Sequence, residues 1–222
     1  MKNLIRSSCW LIFILIFAQT TISGFGFSST EFIGKVVVKN KGVVVDREGE
    51  TLAISSFGKK LKSGDMVVTG DSGRAEVIMN NGDVILLAPW SKLTILKNKD
   101  QVALKKAARM TLSFAGKIRA KIKKSRNRRL RFKSANAEIN IKGTEFIAEY
   151  ANKNTIVATL EGLVNISSVK TGNNTDIPAG KMSSVSAAGE VMPLSEIAGE
   201  ILKGVESAGE KMTEEDVAGK KM

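Results

Sequence analysis

Histidine is absent from this 222-residue chain, and cysteine occurs once, as Cys9. The first absence removes the commonest general base, the usual partner of a serine or cysteine nucleophile, and the commonest zinc ligand. The second leaves no disulfide, so the fold must rest on its apolar core alone. A Ser–Lys pair or a carboxylate dyad stays formally open, but no spacing in the chain suggests either. The expectation is a protein without catalytic residues, metal or cofactor.

Long apolar runs are missing too. The longest stretch near the start, Cys9 to Ala18, falls well short of the roughly 18 residues that span a bilayer. Lys2 and Arg6 precede it, Gln19, Thr20 and Thr21 end it, and the small residues Ser23, Gly24 and Gly26 follow. This is the layout of a secretory signal over residues 1–26, cleaved near Ser23 to Gly26, which predicts a periplasmic or secreted product. The alternative is an uncleaved N-terminal anchor. Cleavage would take Cys9 with it and leave about 195 residues, enough for one domain and a tail.

From Phe32 to about residue 186 the pattern is one short strand after another. Arg74–Met79 alternates apolar with polar, Asn80-Asn81-Gly82-Asp83 makes a turn, and Val84–Leu87 follows as an apolar strand. Lys92–Leu96, Met110–Phe114, Ala137–Ile141, Thr155–Leu160 and Gly162–Ile166 continue the series. Turn signals recur at Gly64-Asp65, Gly70-Asp71, Gly82-Asp83, Gly116, Gly143, Gly162 and Gly172-Asn173. No segment within this span has a helical period. An all-β domain over 32–186 is expected, as a roll, a sandwich or a solenoid-like stack of short strands. Gly64-Asp65 and Gly82-Asp83 echo each other, as do Gly143 and Gly162. A repeating β-coil and ordinary hairpins both account for these echoes.

Beyond it, residues 187–222 change in character. Leu194, Ile197, Ile201, Leu202 and Val205 fall on one helical face after Pro193, while Gly199, Gly204 and Gly209 weaken that helix. Thr213 and Asp216 have the spacing of a helix cap. From 193 onward there are seven acids and four lysines. The tail is either a docked amphipathic helix or a frayed, solvated segment.

The net charge is +12, and it is concentrated: thirteen Lys or Arg and no Asp or Glu lie between Lys105 and Lys133. Lys117, Arg119, Lys121 and Lys123 alternate with apolar residues, so one strand face carries a row of cations. Lys124, Arg126, Arg128, Arg129 and Arg131 extend the row through an expected turn. One reading is a lysine-guarded edge strand, which blocks sheet-to-sheet aggregation. The other is a binding surface for an anionic partner, since arginine holds carboxylates and phosphates in a fork. Nucleic acid is not expected, because the chain is read as exported and a single aromatic, Phe132, adjoins the row. An envelope protein, anionic glycans, lipid head groups or the chain's own acidic tail remain as partners, in an unspecified oligomeric state.

Several motifs, in their order, resemble the FecR-domain family. They are Leu61-Lys62-Ser63-Gly64-Asp65, then Val68 to Val77, then Asn81-Gly82-Asp83 ahead of Leu86-Leu87-Ala88-Pro89-Trp90-Ser91. Gly116-Lys117-Ile118-Arg119, Ile141-Lys142-Gly143-Thr144-Glu145-Phe146 and Leu160-Glu161-Gly162-Leu163-Val164 complete the set. The resemblance implies an all-β periplasmic module without catalytic residues. In sensor members, that module relays the state of an outer-membrane transporter to a sigma factor through a transmembrane helix and a cytoplasmic anti-sigma region. With eight residues ahead of Cys9, the expectation here is a stand-alone exported member, or alternatively an anchored sensor in envelope signalling.

Overall fold

The computed structural model describes residues 32–54, 58–96, 108–125, 128–141 and 143–205. Two compact units divide the chain, Met1–Thr30 and Glu31–Met222, and the first lies outside the described residues. The expected export signal, Arg126 and the Thr213–Asp216 cap therefore lie outside them as well.

The described residues form seventeen strands in chain order. They are β1 (Gly34–Asn40), β2 (Val43–Arg47), β3 (Glu50–Leu52), β4 (Lys59–Leu61), β5 (Met66–Thr69), β6 (Arg74–Met79), β7 (Val84–Leu87) and β8 (Lys92–Ile95). Then come β9 (Ala108–Lys121), β10 (Arg128–Lys133), β11 (Ala137–Ile141), β12 (Glu145–Ala151), β13 (Asn154–Glu161) and β14 (Leu163–Ser168). β15 (Asn174–Pro178), β16 (Lys181–Val185), β17 (Ser195–Glu196) and a single helical turn, α1 (Gly199–Leu202), complete the described chain. The fold is all-β, as the alternation predicted.

The strands make two sheets. The front sheet runs β4-β1-β6-β7-β9-β12-β13-β16-β17. The back sheet runs β3-β2-β5-β8-β9-β10-β11-β14-β15. Inward residues of both faces, among them Val36, Val77, Ile118 and Phe146 in front and Val67, Leu93, Leu112 and Phe132 behind, share one core. Phe132 and Phe146 meet edge to face across it, with ring centroids 5.2 Å apart. The chain passes repeatedly from one sheet to the other. Gly143 and Gly162 stand at such crossings, whereas Gly82 sits in the β6–β7 hairpin, so coil and hairpin each account for part of the sequence echo.

Two of the recurring aspartates are buried turn anchors. Asp65 accepts Arg47 Nε and Nη2, both at 2.7 Å, and the Lys62 N–H at 2.8 Å. Asp83 accepts the Lys123 N–H at 2.9 Å. The hydrogen bonds that Arg47 donates to Asp65 raise the Arg47 pKa above its ordinary value, against the opposing effect of burial. A raised guanidinium pKa means that the stabilisation Arg47 draws from its partner is lost as pH rises through the arginine range.

β9 belongs to both sheets. Residues 108–115 lie in the back sheet between β8 and β10, and the rest lies in the front sheet between β7 and β12. Gly116, expected to be a turn, is instead a kink within a continuous strand. Its φ is +77°, and an added Cβ would stand 2.5 Å from Trp90 O and 2.7 Å from Ser91 Oγ. The Ser91 hydroxyl occupies that space because it replaces a ladder partner at the kink. It accepts the Lys117 N–H at 3.0 Å and lies 2.9 Å from Lys117 O.

This arrangement corrects the edge-strand reading, because β9 is flanked on both sides in each sheet. The real edges are β3, β4, β15 and β17. They are kept unattractive by brevity, by Lys59 and Lys60, and by Pro178.

The outer face of the front sheet carries a second apolar cluster. Ile201, Leu202 and Val205 pack there on Ala88, Ile147, Ala158 and Leu160, with Ile156, Met182 and Ile197 at the margin. The expected helical face is thus half realised. One turn forms before Gly204, at φ +87°, breaks the helix, and Leu194 stays 45% exposed. No helix among the described residues is long and apolar enough to cross a membrane. Leu202→Ala should cost about 2 kcal/mol, at the low end for a buried leucine because the cluster lies at the margin of the molecule. Hydrogen exchange is expected to speed up in 199–205 and beneath it in β12 and β13, while β5 and β8 stay protected.

Candidate binding surface

The structure divides the predicted cationic row into two faces and a corner. Ile118, Ala120 and Ile122 point inward from β9, so Lys117, Arg119 and Lys121 point out from the front sheet. Opposite them on β12 stand Glu145 and Glu149, in antiparallel register with Lys121 and Lys117. Lys117 Nζ lies 2.9 Å from Glu149 Oε2. Arg119 Nε donates to Glu145 Oε1 at 2.9 Å, its Nη2 pairs with the same oxygen, and Lys121 Nζ stands 3.4 Å from Oε2. Arg119 and Glu145 are almost fully buried, at 5% and 2% exposure, whereas the Lys121 side chain is 68% exposed.

Two cations on this face also hold the C-terminal segment. Lys117 Nζ donates to Glu200 O and Lys203 O, each at 3.4 Å, and Arg74 Nη1 donates to Gly204 O at 2.9 Å. Carbonyls at the end of a helical turn are short of intrahelical donors, and here side-chain cations add to the one Lys203 N–H that reaches Glu200 O at 3.4 Å.

At the end of β9 the chain turns through residues 122–125. Lys123 and Lys124 are exposed there, against the Gly82 turn and the Gly143 crossing. Arg128 and Arg129 are strand residues of β10, not turn residues, paired with Ala108 and Arg109. Arg131 faces outward from the back sheet. Its Nη1 lies 3.1 Å from Glu138 Oε2 and its Nε donates to Asn140 Oδ1 at 3.2 Å, while Lys133 stands 3.4 Å from Glu138 Oε1. Lys121, Lys123 and Lys124 are thus exposed at the end of β9, Lys117, Arg119 and Lys121 face carboxylates of β12, and Arg131 belongs to another sheet.

The sequence reading missed Glu145 and Glu149. Their spacing of four on a strand matches that of Lys117 and Lys121, a signal that becomes readable only once the β9–β12 register is known. Among the described residues, no three His, Cys, Asp or Glu side chains converge as a metal site.

The class these features define is an all-β, two-sheet module whose outward charges mostly serve its own packing. Residues 65–165, from the end of the β4–β5 turn into β14, match the model of the FecR protein family. No curated protein matches the sequence. A crystal structure of a candidate anti-sigma factor from Parabacteroides distasonis superposes with a TM-score of 0.50 at 10% identity, over 59% of each chain. A second structure of the same description gives 0.49 at the same identity and coverage. At this identity the likeness concerns the fold, and the chain spans about three-fifths of that neighbour's length.

Proposed function

We propose that this protein is a non-catalytic regulatory module of the bacterial cell envelope that works by binding an acidic segment of a partner protein. The FecR match supports the regulatory setting. The observation that carries the binding role is the corner after β9, where Lys121, Lys123 and Lys124 are all exposed within four residues of chain. Clustered surface cations raise the local concentration of an acidic partner and speed its encounter.

The triple variant Lys121→Ser, Lys123→Ser, Lys124→Ser is expected to stay folded and lose acidic envelope proteins roughly tenfold, given a few tenths to 1 kcal/mol per exposed pair. Comparing parent and variant as bait in an envelope extract at low and high salt provides the measurement. Equal capture by both, at both salt concentrations, removes this reading.

A further inference from the structure

Among the described residues, four non-glycine positions have left-handed backbone: Glu48, Asn152, Lys153 and Trp90. The first three occupy the two-residue hairpin loops between β2 and β3 and between β12 and β13, where primed turns call for positive φ. Trp90 has no such reason. It lies where the chain crosses from β7 in the front sheet to β8 in the back sheet, at φ +56°. A left-handed conformation costs a bulky residue about 1–2 kcal/mol, and glycine would relieve it.

The surroundings hold the turn in that shape. Thr69 Oγ1 is buried, accepts the Ser91 N–H at 2.8 Å, and lies 2.7 Å from Ala88 O and 3.0 Å from Ser91 O. Trp90 N–H donates to Gly70 O at 3.0 Å, and Gly70 N–H donates to Gly42 O at 2.7 Å. Three turns are therefore stacked by backbone hydrogen bonds, with Trp90 on the last. Nothing in the core gains from its ring, which is 74% exposed. A strained, over-determined position that displays an aromatic side chain to solvent is a place to look for recognition.

Its neighbours indicate what is recognised. Lys41 on the first turn and Lys92 just past the third are both exposed, and Val44 nearby is 40% exposed. The Asp71 carboxylate on the middle turn folds back onto Ser72, accepting its N–H at 2.7 Å. A protein interface of ordinary size needs a contiguous apolar centre, which one indole and one valine do not make. A single indole flanked by lysines suits a lipid–water boundary, where tryptophan sits at head-group level and cations meet anionic lipid.

We propose that the Trp90 turn is a membrane-surface anchor that inserts its indole among the head groups of anionic phospholipids. This goes beyond the partner-protein role and uses a different part of the surface, so each stands or falls alone.

The test uses the full-length chain with Trp10→Phe, leaving Trp90 as the sole tryptophan, and vesicles of phosphatidylcholine with or without phosphatidylglycerol. Trp90 emission is expected to shift to the blue and to lose quenching by acrylamide on the anionic vesicles. Trp90→Gly should melt at or slightly above the parent temperature and bind anionic vesicles roughly tenfold more weakly, as expected for a partly buried indole. Lys92→Ser, which leaves the strained turn intact, should weaken binding about fivefold, corresponding to about 1 kcal/mol per cation near such a surface. An indole that stays quenchable on bound protein overturns the proposal. So does equal anionic-vesicle binding by parent and Trp90→Gly, or protection of Trp90 by envelope protein but not by vesicles.

Discussion

Arg119→Met should lower stability by about 3–5 kcal/mol, which for a domain of this size is a fall of roughly 10 °C in melting temperature. Glu145 is 2% exposed and takes its closest contacts from Arg119. With the guanidinium gone, the carboxylate loses these contacts, and Lys121, whose side chain is 68% exposed, offers an attraction weakened by water. The cost comes from stranding a buried charge, not from a large net gain when the pair forms. The double variant Arg119→Met, Glu145→Met should therefore recover most of the loss, since apolar replacement of a buried pair is often near neutral. Thermal unfolding of the two single variants and the double variant measures this as a coupling energy. If the double variant is as unstable as the sum of the singles, burial of charge is not what makes the site sensitive.

Gly143→Ala is expected to be nearly as damaging, at about 2–5 kcal/mol. Two penalties add: about 1–2 kcal/mol for a side chain at left-handed φ, and about 1–3 for overpacking. The φ is +75°, and the new Cβ would stand 2.5 Å from Lys124 Cα and 2.9 Å from its nitrogen. Those are backbone atoms, so relief requires moving the connection between β9 and β10. Gly172 supplies the control, because its φ is +76° with nothing within 4 Å of the position of a Cβ. Gly172→Ala should therefore show the backbone penalty alone, and the difference in denaturation midpoints between the variants isolates the clash. Equal midpoints would place the whole effect in φ.

Gly143 shows how local signals and tertiary contacts divide the work. Its motif, between apolar/polar alternation on either side, was legible as a point where a strand ends and another begins. That the chain passes there from the back sheet to the front one, over the Lys124 backbone, depends on what β9 does some twenty residues earlier. Gly116 carries the same local signature of alternation broken by glycine, yet there the strand runs on through a kink. A glycine permits either outcome, and what decides between them is the Ser91 hydroxyl that takes up the Lys117 N–H.

The charged row follows the same division. Alternation from Lys117 to Lys123 told which side chains leave the core, because a strand has a period of two and the apolar set must go inward. Whether an outward cation meets water or a carboxylate depends on the neighbouring strand and its register. Both partners, Glu145 and Glu149, come from a strand more than twenty residues away. Trp90 was visible as one letter of a family-like motif, while its left-handed backbone and its exposure arise from turns contributed by three separate segments.

What the sequence determined by itself was the all-β class, the inward set of side chains, the turn points apart from Gly116 and the stretch after Lys124, and the FecR resemblance. These rest on periodicity and on local backbone preference, which act within a few residues. What only the tertiary structure decided was the double membership of β9, the pairing of Arg119 with Glu145, and the display of Trp90. Each of these depends on contacts between segments distant in sequence, formed once two sheets share a core and a strand.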